Sequence, residues 1–326
     1  MAANAQRGFV LVVTLWVLAV ITIAASYFAE RVGRSIELAR QKQETTEQLI
    51  EFANTRADIL FRLGTTGASL YGWGGQDAIA LDDRPYRGSG DDIVRLQDNR
   101  GLLNVNFPQQ DMILRLLGQL GVPIEKRGAM IDTLLDYIDT DDLRRLNGAE
   151  APEYAALGLP PPPNDWLASP YQLNNIIGWR DQPGVLQKLL QFVTTSRVLG
   201  FNPNTAPPEV LASLPGGSLD TAAALVKARN EKPLYMVGQL ASFTTGALDP
   251  DYFLFYPGNS IRITQQSNKL PWAVQYSVTL TPRSQDAPWR VDYYVKTPVT
   301  YPLENVDKIQ KLPARLPASP GTDETP

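Results

Sequence analysis

An apolar run from Phe9 to Ala29, broken only by Thr14, Thr22 and Ser26, constrains this chain more than any other feature. Twenty-one residues at about 1.5 Å per residue span roughly 30 Å, the thickness of a hydrocarbon core. The leader ahead of it, Met1 to Gly8, is short and carries Arg7. A secretory signal has a shorter apolar core with its small-residue cleavage site after it; here Gly8 separates leader from run at the start. Beyond the run, no proline interrupts Arg31 to Leu63, and Gly33 is the single interior glycine. Leu49, Phe52, Ala53, Leu60 and Leu63 share one stripe at helical spacing. The pattern predicts one long helix, its first half in lipid and its second half beneath a soluble head, stopped at Gly64-Thr65-Thr66-Gly67. Arg31, Arg34, Arg40 and Lys42 follow the span, so cation placement does not itself favour a cytoplasmic amino terminus. The orientation rests on the leader pattern and the continuing helix.

The head reads as strands, then helices, then strands. Ile93 to Gln97 and Leu102 to Val105 flank Asp98-Asn99-Arg100-Gly101, a hairpin signal. From Phe107 to Phe255 the pattern is mostly helical. Ser260 to Thr264, Ala273 to Thr281 and Trp289 to Lys296 alternate apolar and polar residues, with Pro282 to Pro288 connecting the last two. The predicted class is α+β: a long N-terminal helix packed on an antiparallel sheet that a large all-helical insertion interrupts. The expected segments are leader 1–8, spine helix 9–64, first sheet part 65–106, insertion 107–255, last strands 256–299 and a mobile Pro-rich tail 300–326.

The insertion holds an internal repeat. Asn104-Val105-Asn106 precedes Asp111, Met112, Ile113 and Leu116; Asn202-Pro203-Asn204 precedes Glu209, Val210, Leu211 and Leu214. Each asparagine pair is expected to cap a helix whose first turn carries an acid. Gly118 to Gly121 and Gly216-Gly217 then turn each chain into a second helix, Arg127 to Ile138 and Asp220 to Arg229. Both units resemble helix-hairpin-helix elements, which hold DNA phosphates in other families. A membrane-anchored DNA-binding protein is therefore the alternative function. Against it stand a net charge of −4, a sequence pI near 5.1, and Asp132, Asp136, Asp139, Asp141 and Asp142 along and after one of those helices. No nucleic-acid partner is expected. The chain has no histidine and no cysteine, which excludes Ser-His-Asp and Cys-His catalysis and thiolate zinc sites. An anchored hydrolase would have to rely on acids alone, and an enzyme is not expected.

The stretch Leu135-Asp136-Tyr137-Ile138-Asp139-Thr140-Asp141-Asp142 leads to Asn147-Gly148-Ala149-Glu150 and Tyr154. Its carboxylates suit a hard cation. Asp139 counted as one puts Glu150 at twelve, but Arg144 stands where an EF-hand has glycine. A solvated helix end is the plainer reading of the same residues.

Two resemblances emerge from these residues. The junction Arg7-Gly8-Phe9 with its apolar run looks like a type IV prepilin; this implies cleavage between Gly8 and Phe9 by a prepilin peptidase and methylation of Phe9. Most such subunits carry glutamate at the fifth mature position, where this chain has Val13. A carboxylate in lipid needs a partner, which in a filament is the amine of the subunit above; a subunit with nothing above it has no use for one. Asp136, Ile138, Asp139, Asp141, Gly148, Ala149, Glu150 and Tyr154, with Pro160 to Pro163, Ser169-Pro170-Tyr171 and Phe201-Asn202-Pro203-Asn204-Thr205-Ala206, resemble the type II secretion minor pseudopilin K family. Tyr137 replaces its usual tryptophan, and Leu173-Asn174-Asn175 its usual Glu-Leu-Arg. The resemblance implies a single-pass inner-membrane protein with a periplasmic head, placed at the pseudopilus tip to initiate or cap assembly. It implies minor pseudopilins I and J and the major pseudopilin as partners. It also implies a calcium site, carried onto Asp139, Asp141, Asp142 and Glu150, and no organic cofactor.

Overall fold

The computed structural model describes residues 6–74, 77–299 and 308–313. Helix α1 (Gln6–Thr65) is continuous, and by length and composition it can cross a membrane. It begins ahead of the Gly8–Phe9 junction, while residues 1–5 of the leader lie outside the described residues. The chain divides into two compact units at Glu51/Phe52. In the first, Phe9 to Ile23 present their apolar side chains on the outside of the helix. Farther along, polar side chains pair at i,i+4: Arg34 with Glu30 at 2.5 Å and Arg40 with Glu44 at 3.0 Å.

In the second unit the remaining turns of α1 pack on a sheet. Trp73 closes the helix end: its indole N–H donates to the carbonyls of Leu63 and Thr66 at 3.1 and 3.2 Å, groups a helix terminus leaves without partners. Strands β1 (Ala68–Ser69) and β2 (Gly72–Trp73) form a small hairpin. Next come β3 (Asp82–Arg87) and β4 (Ile93–Asp98). After β4 the chain leaves the sheet, and it returns as β7 (Ser260–Gln266), β8 (Trp272–Leu280) and β9 (Trp289–Pro298). Between them lie β5 (Leu103–Asn104), β6 (Val193–Thr194) and six helices: α2 (Gln110–Gln119), α3 (Ile124–Ile138), α4 (Ala151–Ala156), α5 (Pro183–Leu189), α6 (Pro208–Ala212) and α7 (Leu219–Glu231). The main sheet has order β3-β4-β7-β8-β9, every pairing antiparallel. Strands β4 and β7 are direct neighbours, Asp98 opposite Ile261 and Ile93 opposite Gln266, so the insertion hangs from the middle of the sheet.

Alternation gives the sheet two faces. Val94, Leu96, Ile261, Ile263, Val274, Tyr276 and Val278 form one core with Phe52, Ile59, Leu60 and Leu63 of α1. On the other face Arg262 donates to the carbonyls of Leu190 and Gln191 at 3.1 and 2.8 Å. The Tyr171 hydroxyl likewise meets Gln275 at 3.1 Å. The insertion has its own core, centred on Trp179, Tyr154, Phe201 and Leu134.

Several expectations need correction. Asp98 to Gly101 is not a hairpin turn: Asn99–Gly101 is a 3-10 turn capped by the Asp98 side chain, which accepts from the Arg100 N–H. The following β5 pairs in parallel with β6, so the insertion is not wholly helical. Asp98 is fully buried and also accepts from Gly258 N, Asn202 Nδ2 and Thr205 Oγ1 at 2.9–3.0 Å. It thereby ties the exit of the insertion to its return, a role a turn residue in solvent cannot have.

The repeat is real in geometry, but its asparagines are not helix caps; Gln109 and Pro207 hold those positions without side-chain bonds. Asn104 and Asn202 each accept from the N–H two residues on, both at 3.0 Å. Asn106 donates to the Leu167 and Thr195 carbonyls and accepts from Leu167 N; Asn204 donates to those of Leu234 and Phe255 and accepts from Leu234 N. Each second amide thus clamps two distant segments. The acids do sit in the first turns, Asp111 in α2 and Glu209 in α6.

The tail departs from expectation over the stretch that is described. Arg87 N donates to Gln310 O and Leu312 N to Arg87 O, both at 2.9 Å, while Pro313 O accepts from Arg62 at 3.0 Å. Residues 308–313 therefore border β3 rather than moving freely; residues 300–307 and 314–326 lie outside the described residues.

Candidate functional site

The acidic turn begins where α3 stops. Asp139 is its C-cap, extended at φ −78° and ψ 170°, with its N–H on the Leu135 carbonyl. One turn back, Asp136 is wholly buried. Arg145 bridges both, with Nη1 2.6 Å from Asp136 Oδ1 and 2.5 Å from Asp139 Oδ2. The Arg145 N–H adds a bond to Asp136. Gly148 is where it is because a Cβ there would sit 1.8 Å from Asp136 Oδ2; any other residue would push the buried carboxylate out of place. Glycine then leads directly into Glu150, the N-cap of α4.

Glu150 is the anomaly of the site. It is 2% exposed, its backbone N–H donates to Glu153 at 3.0 Å, and neither of its carboxylate oxygens has a partner. Asp139 Oδ1 and Asn164 Oδ1 are likewise buried and unpartnered. Burial, followed by the charges of Asp136, Asp139, Asp142 and Asp141, pushes the Glu150 carboxyl up to about 7. An orphaned buried carboxylate costs free energy that a bound cation would remove.

Asp141 and Asp142 are exposed at the rim. Asp141 Oδ1 accepts from Leu143 N at 2.9 Å; Asp142 Oδ1 accepts from Asn164 Nδ2 at 3.0 Å. The four acids expected to ligate a cation therefore share one turn, but they do not converge. Among the described residues no three acidic side chains are gathered closely enough to hold a metal as they stand. Of the four, Asp139 alone is paired with Arg145, which it shares with Asp136. The donor set is oxygen-rich and fits a hard cation in its chemistry. Sequence reasoning missed Asn164, whose φ of 48° brings a neutral amide beside the acids, and it missed Arg145 as their counter-ion. A left-handed asparagine after a proline run leaves no periodicity to read.

The second hairpin, Pro215 to Gly217, is packed from outside. Gly246 N donates to Pro215 O at 3.2 Å, and a Cβ on Gly216 would meet Thr245 Oγ1 at 2.0 Å.

The spine stripe is largely consumed within the head: Phe52, Leu60 and Leu63 are 4%, 7% and 2% exposed. Only part of Leu49 to Leu63 is therefore left for docking by other subunits. Among the outward residues of this part of α1 are Ala53, Ala57, Phe61 and Gly64. With Arg56, Pro288 and Trp289 they line a shallow groove of about 440 Å³.

Two family models match the chain, both describing type II secretion system (T2SS) protein K: one over residues 92–197, the other over 201–247. They fall on the insertion and its junction with β4. The fold is similar to one chain of the crystal structure of the GspK-GspI-GspJ complex from the type 2 secretion system of enterotoxigenic Escherichia coli. The TM-score is 0.55 at 17% identity, over 81% of this chain and 99% of that one. No curated protein sequence matches. An anchoring-length helix, a sheet interrupted between β4 and β7, and the matched insertion agree: over residues 92–197 and 201–247 the chain is similar to the type II secretion system protein K family.

Proposed function

We propose that this protein is the minor pseudopilin that starts or caps a secretion pseudopilus, held in the inner membrane by α1 with its head in the periplasm. The observation that carries the reading is α1 itself. Its apolar segment contains no acid, Val13 standing where a stacked subunit needs a carboxylate. The same helix runs unbroken into a head with a bulky insertion. A spine with no acid can lie over others but leaves the amine of any subunit above it without its partner in lipid. Before assembly, a prepilin peptidase removes Met1 to Gly8, and Phe9 becomes the methylated amino terminus.

The solved relative is a complex with two other pseudopilins, and we extend that arrangement to this chain. Partner spines I and J dock on the outward strip Ala53, Ala57, Phe61 and Gly64, whose small residues allow close helix approach with Phe61 as anchor. The major pseudopilin then adds beneath. Photo-crosslinkers at Ala57 and Phe61 should capture both partners, whereas one at the buried Ile59 should capture neither. Capture from Ile59 alone would defeat the docking surface.

The acidic turn serves the head rather than a reaction. Glu150 and Asp139 are the inner ligands we assign to calcium, with Asp141 and Asp142 closing from the rim once Arg145 moves aside. When bound, the cation neutralises a turn that otherwise carries an unpartnered carboxylate. Chelator should lower the melting temperature of the purified protein; unchanged melting and no bound metal would remove the assignment.

A further inference from the structure

Three buried arginines punctuate the head, and they differ in one respect. Arg62 spreads two nitrogens over carbonyls of separate segments, and Arg262 spreads two over the adjacent carbonyls of Leu190 and Gln191. Arg229, in the last turn of α7, uses one nitrogen only: Nη1 donates to the carbonyls of Pro203 and Ala206, both at 2.6 Å. Its Nε is buried without a partner, as is that of Arg262, and the residue is 7% exposed. Among the described residues no carboxylate forms an ion pair with it. Burial accordingly pulls its guanidinium down to about 10, a large displacement for a group that is normally always charged.

Arg229 lines a cleft of about 340 Å³ together with Tyr71, Asp82, Arg84, Asn204 and Asn230. The single acid there is already taken: Asp82 receives Arg84 Nε at 2.7 Å and Nη2 at 2.5 Å in a two-point pair. The cleft therefore carries two guanidiniums and one carboxylate, and the uncompensated charge is the buried one. A buried cation without an anion is unfavourable by several-fold more than a surface one. The free Nε edge of an arginine is the side that receives a planar oxyanion at two points.

We propose that this cleft is an oxyanion site in which the Nε edge of Arg229 receives a carboxylate or phosphate group, with Asn230 and Tyr71 at its mouth. Nothing in the acidic turn or the spine groove requires it; it is a separate binding function beside Asn204 of the repeat clamp.

The test uses the full-length protein in detergent micelles at constant ionic strength, with sodium chloride exchanged for sodium acetate or sodium phosphate. The Nε–Hε resonance of Arg229, assigned by its absence in Arg229→Lys, should shift saturably, and melting should rise with the same midpoint. Arg229→Lys keeps the charge but loses the edge, so the midpoint should weaken about tenfold or more. Asn230→Asp places a carboxylate in the cleft, where Asn230 Oδ1 meets Arg84 Nη2 at 3.5 Å, and adds a negative charge that competes with the anion; the response to added anion should weaken. A phosphate response alone assigns a phosphorylated ligand, and an acetate response alone an acidic peptide. Absence of a saturable shift with either anion, or an Asn230→Asp protein that responds as the wild type does, overturns the site.

Discussion

Replacing Glu150 by glutamine isolates the charge of one carboxylate from its shape. In the metal-free protein the carboxyl titrates near 7 rather than at its ordinary 4.5. A raised carboxylate means that the fold prefers the protonated form. The associated stability is therefore complete below about 4.5 and is lost as pH climbs through about 7. The full displacement corresponds to roughly 3 kcal/mol at 1.36 per unit. Screening by solvent at the rim, where Asp141 and Asp142 are exposed, reduces this to about 1–2 kcal/mol. Glutamine loses no hydrogen bond, because neither oxygen of Glu150 has a partner. In chelator at pH 8, Glu150→Gln should thus melt higher than wild type, by roughly 2–4 °C per kcal/mol for a head of this size; at pH 4 the two should coincide. Adding calcium should reverse the order at pH 8, since the wild type gains about 2.7 kcal/mol at a hundredfold excess over Kd and the variant has lost its central ligand. Calorimetric scans in chelator and in calcium give all four values. A variant less stable than wild type in chelator at pH 8, or one that keeps the full calcium response, would refute the reasoning.

Other consequences are equally direct. Gly148→Ala places a Cβ 1.8 Å from Asp136 Oδ2 and should cost about 1–3 kcal/mol in urea unfolding. Asn106→Ala and Asn204→Ala remove matched clamps, and each should cost about 1–3 kcal/mol; a large loss at one and none at the other would contradict the repeat. Arg262→Met frees the carbonyls of Leu190 and Gln191, so limited proteolysis should cut within the insertion sooner while the sheet core persists. Mass spectrometry of protein from cells with an active prepilin peptidase should find Phe9 as the amino terminus, and from cells without it Met1.

Much of this architecture was readable because it follows from simple periods. Apolar length marked α1, alternation marked β7 to β9, and the order strand, helix, strand implied one sheet interrupted by an insertion. The acidic turn was visible because its carboxylates cluster in sequence. What stayed hidden depends on distant partners. Asp98 reads as a turn residue, yet it is buried by Asn202, Thr205 and Gly258, which lie more than a hundred residues on. Asn106 and Asn204 look like helix caps because capping is local, whereas their bonds reach Leu167, Thr195, Leu234 and Phe255. The spine stripe was correctly apolar, but periodicity does not say whether a partner or the chain's own sheet will cover it. Arg145 and Arg229 were just two cations in the sequence; burial and the lack or presence of a carboxylate separate a counter-ion from an anion receptor.

Where the subunit sits in an assembled pseudopilus tests the account most directly. Gold labelling of a C-terminally tagged chain on filaments that still hold the major pseudopilin should place one label at a single end of each filament. Labels repeated along the shaft would contradict a spine that lacks the carboxylate at Val13 and a head that carries so large an insertion.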